Sequence, residues 1–473
     1  MVFSSSLFLF FVLPVTLLVY YMMPSRFRNL WIVAVSILFY SWGAPKYIFI
    51  VLTGMLLDFV FAKAIHNAEG RRKKSLLFIA VSFNVAALLY FKYFNFFIDN
   101  LNSVLNFADK PTLQFAKVAL PIGISFFTFH EISYLVDVYR ARKMPFTNII
   151  DYALYILFFP QLIAGPIIRF NEISDQIADY ARKIPVDFIL TGFYRFVVGL
   201  AKKVLIANVC GLQADCIFGM PPHELTTPVA WIGALAYAMQ IYFDFSGYSD
   251  MAIGIARMMG FVFPENFNSP YISASITEFW RRWHMTLSRW IRDYLYISLG
   301  GNKVSEPRMY FNLVVCFLIS GFWHGAEWTF IIWGLFHGIF LILDKLFLLR
   351  WMSAIGKLPS IIITFLLTLV GWVIFRATDF HYALDYLHRM FTLNTGTVPI
   401  HFTNEFRFTL LLALFLSFAA AFKSGERVMN QVYAGDLSLR RTSWFTLTSL
   451  ILLLLSASAI TSTGFNPFIY FRF

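Results

Sequence analysis

Apolar stretches recur along the whole chain, near 7–23, 29–43, 46–64, 75–98, 118–138, 149–168, 188–214, 228–260, 311–324, 327–343, 359–376, 407–422 and 443–461. A helix needs about 20 such residues to span a bilayer. The hydrocarbon holds no water to serve backbone N–H and C=O groups, so a spanning segment is either a helix or a strand of a closed barrel. None of these stretches alternates as barrel strands do. Hydrophobic residues make up 59% of the sequence and charged residues 14%, and the mean hydropathy is +0.67. Those values exclude a soluble globule of this length. The sequence predicts an all-α, polytopic integral membrane protein with roughly ten to twelve transmembrane helices plus re-entrant and interfacial pieces, since several stretches are short or broken by Gly and Pro. No internal repeat and no low-complexity linker divides it, so 1–473 reads as one membrane domain.

Positive charge orients the chain. Arg26 and Arg28 follow the first stretch, Arg71 to Lys74 the third, and Arg140, Arg142 and Lys143 the fifth, whereas loop 99–116 holds Asp99 and Asp109 against Lys110. Lys and Arg collect in cytoplasmic loops, so the N-terminus is expected on the outer face. Lys423, Arg427, Arg440 and Arg441 mark loop 423–442 as cytoplasmic and send the tail 462–473 outward. The net charge of +12 then belongs to loops and anionic lipid headgroups, not to nucleic acid. The stretch from Leu7 to Met23 has no basic n-region and no small-residue cleavage site, so it reads as a retained span. Cys210, Cys216 and Cys316 have no metal-ligand spacing and read as inert core thiols.

Polar residues inside such a chain are the informative ones, because an ionisable group at membrane depth is costly unless it is paired or functional. His324 and Glu327 sit in Gly321-Phe322-Trp323-His324-Gly325-Ala326-Glu327-Trp328, within an otherwise apolar run. On a continuous helix they share a face, so the carboxylate can orient the imidazole. His337 follows thirteen positions later, roughly 20 Å along a straight helix, and meets His324 only if the glycines break that helix. Upstream, Pro160, Gly165 and Pro166 must interrupt a helix, either as a plain kink or as the lining of a substrate passage. Asp244 and Asp250 are not one turn apart, which favours separate structural pairings with arginines that follow them.

The densest polar segment runs from Thr277 to Tyr296 and reads, within 277–300, as an interfacial basic helix. Glu278, Arg282, Arg289 and Asp293 fall on one helical face as two i,i+4 pairs, with Trp280, Trp283 and Trp290 on other sides. Such a helix is either a membrane-interface anchor or, through Arg281, Arg282, Arg289 and Arg292, a cationic vestibule for a phosphorylated donor. His284 lies within it and is the candidate partner of His324.

These segments, with Pro264-Glu265-Asn266-Phe267-Asn268-Ser269-Pro270-Tyr271, give the chain its resemblance to the membrane-bound O-acyltransferase family, in the bacterial branch of the alginate-type acetyltransferases. The resemblance covers most of the chain. It implies a funnel-shaped helical enclosure with His324 as the essential residue and His284 close to it. It also implies acetyl-CoA as donor substrate, with no bound cofactor or metal, and passage of the acyl group outward. The ending Phe468-Ile469-Tyr470 resembles the branch's C-terminal tail, whose tyrosine hydroxyl is an acyl relay. Implied with it are a place in the bacterial inner membrane and an extracytoplasmic SGNH-type acetyltransferase or esterase that modifies a polysaccharide. In that scheme Glu327, Asp293 and Asp250 are supporting residues. D-alanyl transfer from a carrier protein and a proton-coupled transporter are the alternatives. The transporter lacks matching broken helices in two halves, and no His-Glu-x-x-His supports a metalloenzyme.

Overall fold

The computed structural model describes residues 2–396, 400–427 and 439–462. Every regular element among them is helical, and no strand occurs. Seven of the described helices are long and apolar enough to cross a membrane: Ile48–His66, Gly70–Phe107, Val186–Phe218, Trp328–Ile355, Lys357–Arg376, Asn404–Ala421 and Arg441–Ser462. The protein is a multi-pass membrane protein. Other apolar stretches give elements that are shorter or more polar. Phe8–Met22 is short, and Thr227–Met258 runs for 32 residues but carries Asp244 and Asp250.

By internal contacts the chain falls into two compact units. The first comprises Phe10–Ile184 and Met259–Phe263. In it the Pro160–Arg169 stretch breaks the helical path as its prolines require. The helix Ile149–Leu157 stops at Phe158, a single turn follows at Phe159–Leu162, and the chain stays irregular to Arg169. Protein covers the freed backbone: Phe159 N–H donates to Ser36 Oγ at 3.1 Å, and the Tyr155 hydroxyl reaches the Ile168 carbonyl at 3.1 Å.

The second unit holds Pro185–Met258 and the chain from Pro264 onward. Its axis is the antiparallel pair of Val186–Ala201 and Thr227–Met258, which approach through glycines. A Cβ on Gly199 would stand 2.5 Å from the Gly247 carbonyl oxygen, and one on Gly192 2.7 Å from that of Gly254. Small residues let helix backbones meet where lipid offers no hydrophobic push. The first helix then widens into a π-turn at Lys202–Ala207. There two successive lysines reach one neighbouring helix, Lys202 to Asp250 at 2.6 Å and Lys203 to Asp244 at 2.6 Å. Arg195 adds a contact to Asp250 at 2.8 Å. The aspartates are thus paired as expected, but with bases that precede them in the chain.

Candidate active site

The helix Glu306–His324 ends at the histidine, and Gly325 leaves it extended at φ −162° and ψ 154°. A Cβ on Gly325 would lie 2.1 Å from the Phe330 ring, so only glycine fits this reversal into the helix Trp328–Leu343. Because the helix stops here, His324 and Glu327 do not share a helical face. Glu327 is the exposed, extended residue before the next helix, with its carboxyl pKa raised by partial burial. The same break folds His337 back towards His324: both rings touch the Trp333 indole, at 4.9 and 5.2 Å. His337 is held there by Trp280 Nε1, which donates to its Nδ1 at 3.3 Å.

His324 is buried among aromatic rings. Trp323 lies at 4.8 Å, Trp333 at 5.2 Å and Phe375 at 5.2 Å, the last two nearly perpendicular to the imidazole. Trp323 also lies 6.3 Å from the ring of His284. The two histidines, forty positions apart in sequence, therefore meet on one indole.

His284 gets there because 277–296 is not one helix. Ile276–Arg282 stops at Trp283, His284 turns left-handed at φ 42° and ψ 51°, Met285–Trp290 restarts, and Ile291–Tyr296 is a π-turn. The face drawn on a continuous helix does not exist. Glu278 and Arg282 do pair, at 2.8 Å, within the first turn segment. Asp293 accepts from Arg292 at 2.7 Å, and Arg289 donates to the Glu265 carbonyl at 3.1 Å. Arg281 and Arg292 are exposed. Trp280, Trp283 and Trp290 are buried in the protein, with Trp283 at 4.8 Å from Trp372.

A backbone pairing holds the break open. Asn268 N–H donates to the Arg282 carbonyl at 2.9 Å, and Met285 N–H to the Asn266 carbonyl at 2.9 Å. The Asn266 side chain then sits under His284. Its Oδ1 faces Thr286 N–H at 3.3 Å, Thr286 Oγ1 at 2.9 Å and His284 Nδ1 at 3.0 Å, while its Nδ2 donates to Ser249 Oγ at 3.0 Å. A backbone N–H can only donate, which fixes the amide with oxygen towards 284–286. His284 therefore carries its proton on Nδ1 and a lone pair on Nε2, which is buried and accepts no hydrogen bond from a described residue. Full burial, in this segment outside the spanning helices, pushes the imidazole pKa down to about 3 and keeps the ring neutral.

Asn266 and Met285 also wall a cavity of about 460 Å³, lined with Arg195, Lys202, Ser246, Asp250 and Glu265. None of the four arginines at 281, 282, 289 and 292 lines it; the basic groups there come from Val186–Phe218 instead. Asn266, Lys202 and Arg195 were missed as site residues. The visible signal was an amide beside Pro264 and a Lys–Lys pair inside an apolar run. Among the described residues no cluster of three or more His, Cys, Asp or Glu suits a metal ion. Tyr470 lies outside the described residues.

Comparison with known proteins agrees with this architecture. The model of the membrane-bound O-acyltransferase family matches residues 37–378. A probable alginate O-acetylase of Azotobacter vinelandii is 40% identical over the full length of both chains. Its counterpart in Pseudomonas aeruginosa is 45% identical over 84% of this chain and 76% of its own. A peptidoglycan O-acetyltransferase of Helicobacter pylori is 38% identical over 86% and 82%. The chain belongs to the membrane-bound O-acyltransferase family and is an acyltransferase.

Proposed function

We propose that this enzyme moves an acetyl group from cytosolic acetyl-CoA across the bacterial inner membrane to an extracytoplasmic SGNH-type partner, which O-acetylates a polysaccharide. The observation that carries the reading is the meeting of His284 and His324 on Trp323, beside a polar cavity and inside an aromatic shell. A dry aromatic surround favours acyl transfer over hydrolysis, because it keeps water from the thioester. The relatives' activities, acetylation of alginate and of peptidoglycan, support the acetyl group and a carbohydrate acceptor.

In this scheme His324 acts as general base on the Tyr470 hydroxyl, whose oxygen attacks the thioester carbonyl. The new C–O bond forms, the C–S bond breaks, and the CoA thiolate leaves with the proton held by the imidazolium. A neutral His284 that donates through Nδ1 to Asn266 has no second N–H for a carbonyl oxygen. Its Nε2 is free to accept a hydrogen bond within the site. Donor phosphates fit the basic wall at Arg195 and Lys202 better than the exposed arginines of 281–292.

The test is incubation of the purified protein in nanodiscs with acetyl-labelled CoA. Label on the C-terminal peptide, absent from Tyr470→Phe and from His324→Ala, supports the relay. Label lost in His324→Ala but retained in Tyr470→Phe overturns the relay while leaving the acyltransferase intact.

A further inference from the structure

The first compact unit contains a cavity unrelated to the histidines. It has about 290 Å³ and lies among the helices Ile48–His66, Gly70–Leu88 and Ile124–Tyr139. Its rim is apolar and faces outward from the protein: Phe49 is 71% exposed, and Ile50 and Phe83 stand beside it on helices that span the membrane. The cavity therefore opens towards lipid.

Its floor is acidic. Glu131 lines it, is only 3% exposed, and makes no hydrogen bond or ion pair with any described residue. Glu131 lies seven residues into its helix, about 10 Å along the axis. Asp58 lies close enough to interact with it electrostatically. One Asp58 oxygen accepts from Asn84 Nδ2 at 2.8 Å, and the other, fully buried, accepts from no described residue. The Tyr152 hydroxyl, which interacts with both carboxyls, is buried and likewise unmatched. Lys92, on the neighbouring turn, donates to Ser125 Oγ at 3.3 Å. Carboxyls at this depth are expensive without a partner. Here the described residues supply one amide and no cation.

We propose that this cavity binds a membrane lipid through a primary ammonium headgroup, with an N–H donor on Glu131 and the apolar walls around the lipid's upper chain. The ligand must bring hydrogen-bond donors, and positive charge suits it, because the Glu131 carboxyl lines the floor with Asp58 behind it. It must come from the bilayer, because the rim is made of lipid-facing side chains. Gly54 keeps the floor open: a Cβ there would stand 3.6 Å from Glu131 Oε1, and a larger side chain would fill the space. This inference does not depend on the acyltransferase reading.

The full chain is reconstituted in nanodiscs of phosphatidylcholine alone, or of an equimolar mixture with phosphatidylethanolamine, and its thermal unfolding is followed. The two lipids differ in whether the ammonium carries N–H donors. The proposal expects a midpoint higher by several degrees with phosphatidylethanolamine and co-purification of that lipid. It expects both to be lost in Glu131→Gln and in Gly54→Leu, with each variant still unfolding cooperatively in phosphatidylcholine. Equal midpoints in the two lipids for the wild type would overturn it, as would a preference surviving in Glu131→Gln. Stabilisation reproduced by soluble ethanolamine or by sodium in phosphatidylcholine would also overturn it, since the ligand would then not be a lipid.

Discussion

Asn266 decides which nitrogen of His284 is basic, and that assignment has a measurable consequence. Its Oδ1 accepts from three donors in 284–286, so Asn266→Ala leaves buried donors unmatched and frees the imidazole to change tautomer. The expected result is a fall in kcat of about 10²-fold, the lower range for positioned acid–base catalysis, with KM for the proposed acyl donor little changed. Asn266→Asp keeps an acceptor in place and should retain most of the wild-type rate. The added carboxylate favours imidazolium, so the acid limb of its pH–rate profile should move upward from the wild-type position. Equal loss in both variants with unchanged pH profiles would mean that Asn266 is structural only. At this scale the sequence showed the histidines plainly, as ionisable groups in apolar surroundings. It did not show Asn266, because an amide gains its meaning from which donors fold against it. Glu327 was misread for the opposite reason: its i+3 spacing from His324 is real, but Gly325 ends the helix between them.

Between helices, the antiparallel glycine-lined pair sets where charge is buried. Lys203 and Asp244 are both almost fully buried, at 4% and 2% side-chain exposure. Removing one partner strands the other, at a cost of about 3–5 kcal/mol, whereas replacing both with apolar residues of similar volume is close to neutral. Lys203→Met should therefore unfold much more easily in a denaturant titration, and Lys203→Met with Asp244→Leu should recover most of the loss. A double variant as weak as the single one would mean that the pair has a role beyond neutralisation. The sequence located both aspartates but assigned them to downstream arginines. Their true partners lie upstream, because a π-turn at Lys202–Ala207 and the glycine contacts Gly199–Gly247 and Gly192–Gly254 bring the two helices together. The segment 277–296 failed for a local reason. No Gly or Pro marks the break at His284, and helical periodicity runs straight through a residue that adopts φ 42°.

For the molecule in its membrane, the helix Gly70–Phe107 is the clearest ruler. Its 38 residues run for about 57 Å, longer than a hydrocarbon core, which is enough to put its two ends on opposite faces. By the positive-inside rule, Arg71 to Lys74 at the start of that helix predict a cytoplasmic N-terminal end. Cys216 is exposed, unlike Cys210 and Cys316, and its replacement by Ser gives a clean background. In that background, Asp109→Cys should react with a membrane-impermeant maleimide in spheroplasts, and Arg72→Cys should react only after lysis. The reverse pattern would contradict this topology and, with it, the outward transfer proposed above. Composition made the helical membrane class legible, since little else can bury so much apolar sequence. The meeting of His284, His324 and His337 around two indoles was not legible, because it depends on a reversal at Gly325 and a left-handed turn forty residues upstream.

A double-mutant cycle on CoA release tests most directly whether His284 and His324 form one site. Residues that act as a unit lose function together, so each single alanine variant should fall by at least about 10²-fold. The double variant should then be no worse than the poorer single one. Losses that multiply, or a His284→Ala enzyme with near wild-type turnover, would contradict a shared site.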